Sequence, residues 1–448
     1  MLTDDVRSLL RTGLTRSFSS LFIKVATAGL TYIAYVVLSR AMTGTEYGYF
    51  AFGLSLATVL AIAAGMGQQI AILRFWPEAM AKGAPREADT ALSAGGTITI
   101  IAALAIGLAL AAFAALLEGL APWQGPVLHY YGAAVLVLPL ALAEYNSSAL
   151  RAQGSVWTAL MPRDLVWRMA LPAIVALLWA SGVGLTGAAA LLISAALLGL
   201  ALVLQYVAAR RRDYRLKPTP AGTGRYWAER GTISRWFLAG ALVDTVALNA
   251  DTVLIGLMVD APSAGLYFNA FRTAGLMTLI GYAITLVIGP MLAEHYHGGD
   301  LRKAQALTVG CVWVGFGFAA IAFAIFAVFG GDILTLFGAD YGEGHLILVL
   351  LAAGLLADAA IGPARTVMML TGHERAYVFA FGGMTLLGLV AQALVLPFYG
   401  LVGAAAVNML ARIASHSLLG WWCFTKAGID PTIFGIVRLI RAAPREAT

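Results

Sequence analysis

The chain has 448 residues, of which 60% are hydrophobic and only 12% charged, with a mean hydropathy of +0.83. Soluble domains carry roughly 25% charged residues, so a chain this apolar has lipid as its main solvent, and a water-soluble enzyme is excluded. The net charge of +6 and pI near 9.3 would suit nucleic acid, but the charge is distributed differently, as the loops below show.

Residues 3–20 (TDDVRSLLRTGLTRSFSS) are charged and amphipathic, and no small-residue cleavage site follows the first apolar run. The stretch reads as a short helix lying on the inner membrane surface rather than a signal peptide. A span needs roughly 20 mostly apolar residues. That rule predicts twelve helices, at 18–42, 47–71, 91–117, 127–150, 160–181, 185–208, 233–259, 264–290, 305–330, 344–370, 377–397 and 401–425. The fifth is the weakest, because Arg163, Asp164 and Arg168 fall in its first turns. Pro77, Pro122, Pro162, Pro172, Pro290 and Pro363 are expected to bend helices or bound them.

Lys and Arg orient the spans. With the N-terminus inside, Arg7, Arg11, Arg16, Arg74, Lys82, Arg86, Arg151, the run Arg210 to Lys217, Arg302, Lys303, Arg375 and the basic tail all fall on the cytoplasmic side. The outer loops carry Glu118, Asp260, Asp332, Asp340 and Glu343 instead, with Arg40 the one clear outer cation. The basic excess is therefore a topology signal, with both termini cytoplasmic and no nucleic-acid partner. Trp123, Tyr130, Trp157, Trp227 and Trp236 lie near span ends and read as an interfacial aromatic belt. Cys311 and Cys423 lie in apolar segments with no metal-binding spacing, which predicts buried free thiols.

The two halves repeat. GLTGAAA at 184–190 returns as GLVGAAA at 400–406, 216 residues on (400 − 184). Gly48 corresponds to Gly265 at 217 (265 − 48), and Gly154 to Gly372 at 218 (372 − 154). An offset of six helices preserves orientation, so the repeat is parallel, and a substrate path between the halves is expected. The chain is accordingly divided into an N-terminal six-helix lobe (1–208), a cytoplasmic linker (209–232) and a C-terminal six-helix lobe with its tail (233–448).

The segments LSRAMTGTEYGYFAFGLS, ALRAQGSVWTALMPRDLVWR and NADTVLIGLMVDAPSAGLYFNAFRTAG resemble polysaccharide-biosynthesis transporters, the Wzx-type flippases. These belong to the superfamily that also holds the multidrug-and-toxin (MATE-like) extruders and the lipid II flippases. The resemblance implies an all-α polytopic fold of two six-helix bundles. Its implied activity is transfer of an undecaprenyl-diphosphate-linked oligosaccharide from the inner to the outer leaflet of the bacterial inner membrane, by alternating access. Polysaccharide polymerase and glycosyltransferases, with membrane lipids, would be its partners. Lipid II flippases carry two more helices, which argues against a peptidoglycan role.

Charges inside spans are costly, roughly +2.5 to +3.5 kcal/mol each at a helix centre, and so point to function. Here they are Lys24, Glu144, Asp244, Asp251, Arg272, Asp358, Arg365 and Arg412. A diphosphate calls for cations, and Lys24, Arg272 and Arg365 are the candidate substrate-binding residues. The alternative for Lys24 is snorkelling to the interface. In lipid II flippases a cation on the first helix lines the cavity, and Lys24 resembles it. Asp244, Asp251, Asp358 and Glu144 are the candidates for proton or sodium coupling, and no other cofactor or metal is expected. At ~1.5 Å per residue, Asp251 and Arg272 share a depth about 12 Å inside on adjacent helices, which suggests a pair. Asn408, Arg412 and His416 form one polar stripe, with Asp358 placed to neutralise Arg412. A multidrug antiporter of the same fold ranks lower, because Lys24 stands where a cationic drug would meet carboxylates. A membrane glycosyltransferase or polymerase ranks lower still, because outer loops of roughly 3–15 residues are only connection length.

Overall fold

The computed structural model describes residues 25–120, 126–216 and 218–441. The amphipathic segment 3–20, Lys24, Pro122 and Trp123 lie outside the described residues. Every described regular element is helical. In chain order these are α1 (Val25–Ala41), α2 (Gly44–Ala64), α3 (Gln68–Ala81), α4 (Pro85–Gly119), α5 (Leu128–Ala152), α6 (Val156–Leu160), a π-helical turn (Met161–Val166), α7 (Trp167–Ala180) and α8 (Gly187–Arg210). They continue as α9 (Thr223–Met258), α10 (Ala261–Gly275), α11 (Thr278–His297), α12 (Leu301–Leu334), α13 (His345–Ile361), α14 (Ala364–Leu370), α15 (Glu374–Trp422) and α16 (Gly435–Arg441). Among the described residues eight helices are long and apolar enough to cross a membrane. Side chains such as Phe398, Leu177, Leu108 and Val328 are largely exposed, as lipid-facing residues of a membrane protein must be.

Among the described residues each of the twelve predicted segments is largely helical, but several are interrupted. The predicted eighth span breaks between α10 and α11, and the tenth breaks at Gly362 and Pro363, ahead of α14. Conversely, the last two spans run through one 49-residue helix, α15, which kinks where Gly400 leaves helical geometry (φ 58°, ψ −153°), three residues after Pro397. Of the predicted prolines, Pro77 and Pro172 lie inside helices, and Pro162 sits in the π-helical turn. The linker expected over 209–232 is shorter than its composition suggested, because α9 begins at Thr223. The connection is held by Gln153, whose carboxamide donates to the Arg215 carbonyl and accepts the Arg215 N–H, both at 2.8 Å. Arg215 also pairs with Asp89.

Contacts divide the chain into two compact units, Met1–Gly265 and Leu266–Thr448, so that α9 belongs with the first. In the first unit α5 is central, packed on α2, α4 and α8, while α9 packs on α2, α3 and α4. Gly132, Ala133, Ala141, Ala143, Ser147, Ser148 and Ala149 are the reason: small residues on α5 let neighbouring backbones approach. By contrast, α4 turns Ile101, Leu104, Leu108 and Leu116 outward. In the second unit α13 packs between α12 and α15, and α11 packs on α12. There Gln305 on α12 repeats the device of Gln153, exchanging two hydrogen bonds with the backbone of Asp430 at 2.7 and 2.8 Å.

The repeat is visible in backbone geometry. Gly154 and Gly372 each follow a helix in the left-handed region, at φ 92° and 80°, where a side chain would be strained. Gly83 and Gly299, 216 residues apart (299 − 83), hold φ 68° and 81° just before α4 and α12. Gly48 and Gly265, matched from the sequence, touch each other: a Cβ on Gly265 would lie 3.3 Å from the Gly48 Cα.

Candidate functional site

The first unit has an open pocket of about 250 Å³ among α2, α3, α5 and α9, bordered by several polar side chains. One face of α5 supplies Glu144, Ser148 and Arg151, spaced i, i+4 and i+7. Asp244 and Thr245 come from α9, and Gln69 from the first turn of α3. Gln69 is 5% exposed, and neither atom of its carboxamide has a hydrogen-bond partner among the described residues. Its Oε1 lies where a side chain on Gly65 would sit, 2.3 Å from the position of a Cβ there. An unsatisfied buried amide costs about 1–3 kcal/mol, and this one borders the open volume of the pocket, where a ligand or water would satisfy it.

Glu144 is half-exposed and carries the cavity's charge to a buried network. Arg163 donates to Glu144 at 2.8 Å, and its Nε lies 3.0 Å from Asp164, which is 1% exposed. The Asp164 carbonyl accepts the Thr27 hydroxyl of α1 at 3.2 Å, and Arg168 reaches Thr31. The π-helical turn displaces this run of charges from a regular spiral. Its neighbouring carbonyls at Thr158 and Ala159 are met by the fully buried Gln205 at 3.1 and 3.0 Å. The charges that weakened the fifth predicted span are thus held by partners, the condition for keeping them inside a membrane.

The second unit has its own cluster. Asp358 on α13 accepts from Arg412 on α15 at 2.8 Å, as the polar stripe predicted, and its other oxygen lies 2.8 Å from Nδ1 of His416. Arg412 also reaches Asn408 at 3.3 Å and lies over the Phe271 ring at 5.7 Å. Asp358 borders a cavity of about 160 Å³ with Thr278, Thr285 and Cys311. Cys311 and Cys423 are both buried and free.

Of the expected cations, Arg272 lies 4.8 Å over the Phe268 ring and exposed Arg365 5.5 Å over Tyr377. Asp251 is buried at 6% exposure on α9, beside Asn249 and Thr252. Asp251 and Arg272 fall in different units. Among the described residues no group of three or more His, Cys, Asp or Glu is arranged to hold a metal ion. Sequence reasoning missed Gln69 and Ser148 as site residues. It also misplaced Tyr130: the ring is 4% exposed, packed edge-on to Phe52 and Phe113 instead of standing in an interfacial belt. The signal was HYYG at 129–132, which sets three rings at the start of α5.

Comparison with known proteins places this architecture. The family model described as "Polysaccharide biosynthesis protein" matches residues 14–295. No curated protein matches the sequence. Solved structures of similar fold include the lipid II flippase MurJ in its inward closed conformation (14% identity, TM-score 0.69, covering 96% of this chain and 93% of that one). A second is a multidrug resistance MATE family transporter of the MOP superfamily in its inward-facing conformation (14%, 0.65, 95% and 100%). A third is a MOP superfamily transporter from Pyrococcus furiosus, described as having a binding pocket of reverse polarity (15%, 0.61, 93% and 95%). With a family match across more than half its length and the fold of these transporters over nearly all of it, the chain is a membrane protein of the polysaccharide biosynthesis family, built on the MOP-superfamily fold.

Proposed function

We propose that the protein is a flippase that carries undecaprenyl-diphosphate-linked oligosaccharide across the bacterial inner membrane by alternating access, for assembly of a surface polysaccharide. The observation that carries this reading is the polysaccharide-biosynthesis family match on a chain with a transporter fold. The role is transport rather than bond-making chemistry. The diphosphate is assigned to Lys24, Arg272 and Arg365, and the Lys/Arg asymmetry assigns both termini to the cytoplasm. The cavity bearing Glu144 and Asp244, and the one bordered by Asp358, are the proposed seats of proton or sodium coupling, with Asp251 as a further candidate.

Replacing the gene with an empty cassette and probing surface glycan on gels tests the reading. Loss of export, restored by the intact chain, is expected; normal export without it would overturn the proposal. A multidrug antiporter is the second reading, favoured by the two carboxylates, Glu144 and Asp244, of the first-unit cavity. It predicts dye resistance and unaltered glycan.

A further inference from the structure

At the end of the first unit that the Lys/Arg distribution assigns to the outside, α2, α5 and α9 enclose a second cavity of about 200 Å³. Its wall is aromatic. The Tyr49 ring stacks on the His129 ring at 4.6 Å and 16°. Phe52 stands edge-on to His129 at 5.3 Å and to Tyr130 at 5.4 Å. Gly256 makes this wall possible, because a Cβ there would lie 2.5 Å from the Phe52 ring. Asp260 stands exposed at the rim.

Three features separate this place from ordinary core packing. Beyond their contacts with one another, Tyr49, Phe52, His129 and Tyr130 border open volume. His129, 6% exposed, has no hydrogen-bond partner for Nδ1 among the described residues, a cost that packing alone does not explain. Asp260 is held in place at the rim, with Oδ1 capping α10 by accepting the Ser263 N–H at 2.8 Å. A fixed carboxylate beside ring faces suits a ligand with apolar C–H faces and hydroxyl donors at its edge, which describes a sugar ring. The volume is below the roughly 300–1,000 Å³ of pockets for larger ligands, so one residue fits rather than a chain. The carboxylate repels phosphate, so the diphosphate end of a glycolipid would sit elsewhere.

We infer that Tyr49, His129 and Asp260 form a monosaccharide-binding subsite at the outer end of the first unit, which takes one sugar of the glycan. This rests on the flippase reading for the source of the sugar but not for its chemistry. The test is saturation-transfer NMR on the full chain in nanodiscs, with N-acetylglucosamine, galactose and, separately, inorganic pyrophosphate. Transfer to ring C–H protons of at least one sugar is expected. Tyr49→Ala and Asp260→Asn should each weaken that sugar at least about tenfold. Tyr49→Phe, which keeps the ring, should bind, and so should Leu128→Ala, an exposed neighbour, as the control for folding. Absence of transfer from both sugars, or equal binding by Tyr49→Ala and wild type, overturns the subsite. So does pyrophosphate competing with the sugar. Complementation of surface glycan by the wild-type gene separates the two claims. Sugar binding without restored export sinks the flippase reading and leaves the subsite, whereas restored export with unchanged binding in both variants sinks the subsite alone.

Discussion

Asp358→Ala is the most informative single change in the second unit. The carboxylate it removes neutralises Arg412 at 2.8 Å and lies 2.8 Å from His416. The three side chains are 17%, 13% and 18% exposed, so this pair is part-buried, and its loss falls between the cost for a surface pair and that for a fully buried one. Exposed pairs are worth about 0–1 kcal/mol. Breaking a buried pair leaves an uncompensated charge and costs roughly 3–5 kcal/mol. Asn408, at 3.3 Å, and the Phe271 ring soften the loss but bring no counter-charge. Asp358→Asn keeps an acceptor and should lose less. The double change Asp358→Leu with Arg412→Met removes both charges, and buried pairs replaced this way are often close to neutral. The assay is thermal unfolding in detergent by tryptophan fluorescence, with the yield of monodisperse protein. A melting point for Asp358→Ala equal to wild type, or a double variant as unstable as the single, would refute the reasoning.

Four further outcomes are expected. Gly48→Ala would put a Cβ 1.8 Å from the Ala261 carbonyl oxygen, and should lower stability by about 1–3 kcal/mol or prevent folding; Gly265→Ala, whose nearest neighbour is Tyr47 Cδ1 at 3.2 Å, should cost less, as melting points would show. Gln205→Ala strips the hydrogen bonds to the Thr158 and Ala159 carbonyls and should cost about 1–3 kcal/mol in the same assay. Arg215→Cys should react with a maleimide from the cytoplasmic face alone, and labelling confined to the periplasm would reverse the proposed topology. Arg272→Ala should abolish glycan export while the protein is still expressed, and normal export by Arg272→Ala removes it from the mechanism.

The membrane class, helical fold and family were legible from composition, periodicity and three loosely patterned segments, because lipid demands long apolar helices and satisfied backbone polar groups. The Asp358–Arg412 pair was legible too, since a stripe at i, i+4 spacing and a carboxylate at matching depth leave few partners. Helix breaks were not. Hydropathy does not distinguish the continuous predicted eighth span from α10 and α11 in succession, nor foresee a π-helical turn at 161–166. The linker was overdrawn because residues 223–232 carry the polar composition of a loop yet extend α9 beyond its apolar stretch. Tyr130 was misassigned because proximity to a span end says nothing of which face its ring takes. Gln69 was invisible, since an amide announces itself only when its lack of partners can be seen.

The central claim is tested most directly with purified protein in liposomes that hold a fluorescent undecaprenyl-diphosphate-linked oligosaccharide on one leaflet. Movement to the other leaflet is read by quenching with a reagent that cannot cross the bilayer. The account predicts glycolipid transfer well above that of protein-free liposomes, abolished by Arg272→Ala. Transfer no faster than in empty liposomes, with a cationic dye transported instead, would contradict it.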